Sequence, residues 1–176
     1  MLKKRTEEKY LSEFVYGGID GVVTTFAIVA GVIGAALSST VVLILGFANL
    51  FADGFSMAIS NYLSTKSQKE LNLRHNHKHL HEKNPRKTAL ATFFAFILIG
   101  FIPLISFVFA PLSTTIEENK FIISIILTGI AFLTVGAIKG KIVGKHYVKS
   151  ALETLLIGGL AAVIAFFVGY LLKGLA

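Results

Sequence analysis

Long apolar runs separated by short polar breaks organise this chain. Five stretches, at about residues 15–37, 41–63, 88–110, 121–138 and 151–172, are almost wholly apolar. A helix needs about 20 such residues to cross a bilayer. The runs are continuous rather than alternating, which argues against strands of a membrane barrel. The pattern therefore predicts an all-α integral membrane protein with five transmembrane helices in one domain, residues 15–172. Ser38, Ser39 and Thr40 are the whole break between the first two spans, so these form a tight hairpin whose turn residues are able to cap the second helix. Pro111 and the polar run 113–120 are expected to end the third span and separate it from the fourth. Residues 1–14 mix Lys3, Lys4, Arg5 and Lys9 with Leu2, Tyr10, Leu11 and Phe14, and read as an amphipathic segment at the membrane surface. A signal peptide has a shorter apolar core directly after a few basic residues, so the first span is read as a retained helix.

Composition agrees: 54% of the 176 residues are hydrophobic and 15% charged, against about 25% charged in soluble domains. The chain has no cysteine, which excludes disulfides and thiolate metal sites. The net charge of +7 is placed asymmetrically. The N-terminal segment, the linker 64–87 and the loop 139–150 carry 15 of the 17 Lys and Arg residues; the opposite side carries Lys120 and Lys173. By the positive-inside tendency the N-terminus is cytoplasmic and the C-terminus lies outside. The basic balance is then a collar for anionic lipid headgroups, and no nucleic-acid partner is needed to explain it.

Polar residues within the spans carry the chemistry. An ionised carboxylate at mid-bilayer costs at least ~2.5–3.5 kcal/mol, and such residues face a bundle interior or a water path. The chain's two aspartates, Asp20 and Asp53, both fall inside apolar runs. Asp20 lies early in the first span, and Thr24, Ala27, Gly31 and Gly34 follow it at helical spacing. Close helix packing accounts for the glycines and not for the aspartate. In the second span Asn49, Asp53 and Met57 recur every four residues, with Ser56, Ser60 and Asn61 beside them. Alone, Met57 would read as core filler. An amide oxygen, a carboxylate and a thioether in one column suit Fe²⁺ or Mn²⁺ better than Mg²⁺ or Ca²⁺. One chain supplies too few ligands for an octahedral shell, so a symmetric homodimer that doubles the set is expected.

The stretch from Tyr16 to Phe26, with Asp20-Gly21 at its centre, resembles the first-helix signature of the vacuolar iron transporter family. The second-span stretch Asp53-Gly54-Phe55-Ser56-Met57-Ala58, with Asn61-Tyr62-Leu63-Ser64 and Ser67-Gln68-Lys69-Glu70 after it, is similar to that family's second helix. Gly100–Leu104 and Leu155–Ala162 resemble its third and last helices. The resemblance implies five spans, a cytoplasmic N-terminus and a dimer with its path between the two first helices. It also implies export of Fe²⁺ or Mn²⁺ by proton antiport, with Asp20 and Met57 as ligands. Two departures stand out. Members often have a glutamate at the position of Asn49 and a glycine or alanine at that of Asp53, so the acid has moved about 6 Å along the helix. Full-length members also insert a glutamate-rich domain between spans two and three; here the linker 64–87 has only Glu70 and Glu82 as acids.

That linker does hold His75, His77, His79 and His81. Their spacing gives two i, i+4 pairs on a helix, or four imidazoles on one side of an extended chain, and either arrangement offers a place to collect metal. The surrounding lysines and arginines favour the alternative of a solvated basic linker at the lipid surface. Glu153 is expected to pair with a lysine of the loop 139–149. The function predicted is a secondary transporter exporting divalent metal, with either Asp20 or Asp53 exchanging metal for a proton, and with no resident cofactor. The alternative is a non-transporting membrane module, a metal sensor or a metal-donating partner. Nothing in the chain resembles a nucleophile–base pair or a phosphate loop, so no enzyme is expected. The membrane is the plasma membrane if the source has no vacuole, otherwise a vacuolar-type one.

Overall fold

The computed structural model describes residues 10–74 and 83–175. His75, His77, His79 and His81, expected to collect metal, lie outside the described residues, as does most of the amphipathic segment 1–14. The described residues form α1 (Leu11–Gly34), α2 (Ser39–Arg74), α3 (Pro85–Gly100), α4 (Ile105–Phe109), α5 (Thr114–Ile142) and α6 (Tyr147–Leu172). Five helical stretches among them are long and apolar enough to cross a membrane, α3 and α4 jointly making one of them, Pro85–Leu112.

Local chemistry sets the helix ends. Asn84 caps α3, its side-chain oxygen accepting from the Arg86 N–H at 3.0 Å, and Pro85 follows where no N–H is needed. α1 closes with a paired turn: the Leu37 N–H donates to the Val32 carbonyl and the Ala36 N–H to the Ile33 carbonyl, both at 3.0 Å. This motif needs a left-handed residue, and Ala36 supplies it at φ 58°. Between α3 and α4, Ile102–Leu104 tighten into a 3₁₀ turn around Pro103. The Ser124 hydroxyl of α5 donates to the Pro103 carbonyl at 2.7 Å and so satisfies an acceptor at the break.

Two helices run past the apolar stretches. The polar run after Pro111 is not a loop: only Ser113 is extended, and α5 begins at Thr114. α2 continues to Arg74, so at 1.5 Å per residue its 36 residues span roughly 54 Å, well beyond a ~30 Å hydrocarbon core.

α1 is the central helix. Its first half lies backbone-close to α3: a Cβ on Gly21 would stand 2.4 Å from the Phe96 carbonyl oxygen. Its second half does the same against α6, where a Cβ on Gly34 would meet the Phe166 carbonyl oxygen at 2.2 Å. Small residues allow this approach, which is how helices gain packing energy where lipid is as apolar as their side chains. Val22, Val29, Leu50, Phe96, Leu104 and Phe132 fill the space between the helices. α6 buries only Ser150, Ala151, Thr154, Gly158 and Ala162; its other faces are apolar and suit lipid contact.

Candidate metal path between the first two helices

The hairpin runs α1 and α2 antiparallel, so the start of α1 lies beside the later part of α2. An open cleft of about 520 Å³ lies there, lined by Ser12, Glu13, Tyr16, Ser56, Met57, Ser60, Asn61 and Ser64. On α1 the steps from Glu13 to Tyr16 to Asp20 to Thr24 are three or four residues and keep to one side. On α2 the steps Ser64, Ser60, Met57, Asp53 and Asn49 do the same. The two rows form one polar strip, with eight polar side chains and one thioether on it.

The strip has a defined inner end. Asn49 Nδ2 donates to Thr24 Oγ1 at 3.3 Å, and Thr24 Oγ1 donates to the Asp20 backbone carbonyl at 2.8 Å. These two bonds tie α1 to α2 at the depth of Asn49. Past them the α1 row reads Ala27, Gly31 and Ala35, with no polar side chain.

Asp20 and Asp53 lie near enough to interact electrostatically. Asp20 is half-buried, whereas Asp53 is exposed in the single protomer. Among the described residues no hydrogen bond or ion pair reaches either carboxylate. Asn49 and Met57 are half-buried, so the three residues spaced by four do not share one environment. Two nearby carboxylates, a thioether and hydroxyl and amide oxygens suit a divalent cation of intermediate softness. A single protomer falls short of a closed shell: no group of three His, Asp or Glu side chains converges among the described residues.

Other polar residues serve the packing. Asn61 Nδ2 donates to Thr92 Oγ1 at 2.6 Å, joining α2 to α3. Glu153 meets Lys139 at 3.5 Å across the α5–α6 turn. His146 precedes α6 and stacks on Tyr147. Glu13 was not among the site residues expected from the sequence. Its spacing of seven from Asp20 was the available signal, and its partner, Lys83, is 70 residues away.

The sequence profile of the VIT family matches residues 11–82 and 71–170, the two stretches overlapping at the linker. A vacuolar iron transporter of Toxoplasma gondii is 28% identical over 229 aligned residues, covering 96% of this chain and 76% of that protein. A vacuolar iron transporter of Centaurea cyanus is 29% identical, with 92% and 87% covered. Vacuolar iron transporter 1 of Arabidopsis thaliana is 26% identical, with 93% and 86% covered. These alignments run over 217 to 229 residues, longer than this 176-residue chain, so the relatives carry residues that it lacks.

Proposed function

The chain belongs to the VIT family, and on that premise we propose that it is a secondary transporter moving Fe²⁺ or Mn²⁺ out of the cytosol in exchange for protons. The observation that carries this reading is the pair Asp20 and Asp53, which lie within electrostatic reach on adjacent spans, with no ion pair to either among the described residues. A carboxylate at such a site takes either a metal ion or a proton, because both are cations competing for one anion. That competition is the simplest basis for antiport. Met57, one turn from Asp53, adds a thioether that favours a transition metal over Ca²⁺ or Mg²⁺, and Asn49 closes the set at its deep end.

The functional unit in this reading is a homodimer. Asp53 is exposed on the single protomer, and a mid-span carboxylate facing lipid would cost at least ~2.5 kcal/mol. A second copy related by a twofold axis would cover it and double the ligands. The distribution of basic residues supports a cytoplasmic N-terminus and a C-terminus across the membrane, in the plasma membrane or a vacuolar one. The imidazoles of His75, His77, His79 and His81 collect metal at the cytoplasmic mouth, a role supported by their alternating spacing in the sequence.

The test is uptake of Fe²⁺ and Mn²⁺ by vesicles reconstituted with purified protein under an imposed pH gradient. Wild type is expected to give saturable flux with proton counter-movement, and Asp20→Ala to lose it. Equal behaviour of the two proteins, with no metal moved, would remove the transporter reading and leave a membrane metal sensor.

A further inference from the structure

Glu13, on the wall of the cleft, is held in an ion pair. Lys83 Nζ lies 2.6 Å from Glu13 Oε1 and also donates to Ser12 Oγ at 3.0 Å. Ser12 in turn donates to the other Glu13 oxygen at 2.9 Å. The Glu13 side chain is only 11% exposed, so its charge is held where water screens it weakly. A second tie fixes the geometry: the Asn84 N–H donates to the Tyr10 hydroxyl at 3.0 Å. Lys83 thus arrives directly ahead of the α3 cap, anchored on one side by Asn84 and on the other by Glu13.

Glu13 stands on the same row as Asp20, and both it and Met57 line the cleft. It is the carboxylate that a cation reaching the cleft from the basic end of the bundle meets before Asp20. Around it are hard oxygen donors: the hydroxyls of Ser12, Ser60 and Ser64, and the Asn61 carbonyl oxygen, left available because the Asn61 amide nitrogen is spent on Thr92. These suit a divalent cation such as Mn²⁺ or Fe²⁺. What occupies the carboxylate is instead an ammonium belonging to the chain itself.

We propose that Glu13 is an outer metal site and that Lys83 is its tethered competitor, a built-in cation that an arriving divalent metal must displace. A tethered group acts at an effective concentration on the order of millimolar. Lys83 therefore raises the metal concentration needed to occupy Glu13, by a factor set by that effective concentration relative to its own affinity for the carboxylate, and metal that binds releases Lys83 from the start of α1. This proposal rests on the reading of the cleft as a metal path, and it concerns binding rather than movement across the membrane.

The experiment is a binding cycle with Mn²⁺ as the probe. Free Mn²⁺ is followed by electron paramagnetic resonance over purified protein in lipid nanodiscs, with thermal unfolding of each variant as a folding control. Lys83→Met is expected to tighten Mn²⁺ binding about tenfold at the outer site, and Lys83→Arg to stay near wild type. Glu13→Gln is expected to abolish that site, and Lys83→Met then to have no effect when combined with it. A Lys83→Met protein that binds Mn²⁺ no better than wild type, or more weakly with rescue by Lys83→Arg, overturns the proposal and makes the pair a structural tie. An equal gain from Lys83→Met in the Glu13→Gln background overturns it as well. Failed vesicle flux with this cycle intact would remove transport and keep the competitor; normal flux with a flat cycle would do the reverse.

Discussion

The two halves of the α1–α2 face differ in kind. From Glu13 to Thr24, and from Ser64 to Asn49, the facing rows are polar and two carboxylates lie within electrostatic reach. Beyond the Thr24–Asn49 hydrogen bond the α1 row is Ala27, Gly31 and Ala35, and Gly34 is pressed against α6. The first half of α1 faces α2 with polar side chains; in the second half Gly31 and Gly34 pack backbone-close against α6. One half of α1 is thus lined with polar side chains and the other, residues 27–34, is dry, without any. In a chain that passes ions through, the dry half is the part that must rearrange, and its stability bears on rate, while the polar half bears on affinity.

Three substitutions and one control test that division, in falling order of effect. Asp53→Ala removes one of the two interacting carboxylates from the polar half. Outer-sphere partners of metals contribute roughly 10–100-fold, so a direct ligand should cost about 100-fold in metal affinity, read as a rise in KM for Mn²⁺ uptake in vesicles. An unchanged KM would place Asp53 outside the path. Gly34→Ala acts in the dry half, where its Cβ would stand 2.2 Å from the Phe166 carbonyl oxygen. Overpacking of this kind costs about 1–3 kcal/mol, measurable as a lower unfolding midpoint in detergent. Gly159→Ala on α6, with nothing within 4 Å, should not lower that midpoint and should raise it slightly. Asn49→Ala cuts the link between the halves. Losing one such bond should cost about 1 kcal/mol, and the substitution should raise the hydrogen exchange of α2 amides near residue 49. No change in exchange would mean that the bond does not separate the two regions.

Much of this was legible in the sequence. The five spans follow from continuous apolar runs, and Asp20 and Asp53 announce themselves because a carboxylate in such a run demands an explanation. Hydropathy, however, reports where lipid ends and not where a helix ends. The polarity of residues 114–120 therefore suggests a separating loop, whereas they form the first turns of α5, and α2 outruns its apolar stretch by eleven residues. The column Asn49, Asp53 and Met57 was visible as a spacing. Its unequal burial was not, since that depends on where α1 lies beside α2. Glu13 and Lys83 could be matched only through the fold, because nothing local links residues 70 apart.

The length of α2 has a mechanical consequence. The helix that carries Asp53 and Met57 continues without a joint to Arg74, about six turns from Asp53. An unbroken helix resists bending, so a pull or twist applied at Arg74 arrives at Asp53 as tilt or rotation rather than being absorbed on the way. Any event at the linker, where the histidines sit, has a stiff rod attached to the carboxylates. The third span, interrupted at Pro103, has no such rod, and the two helices would answer the same force in different ways.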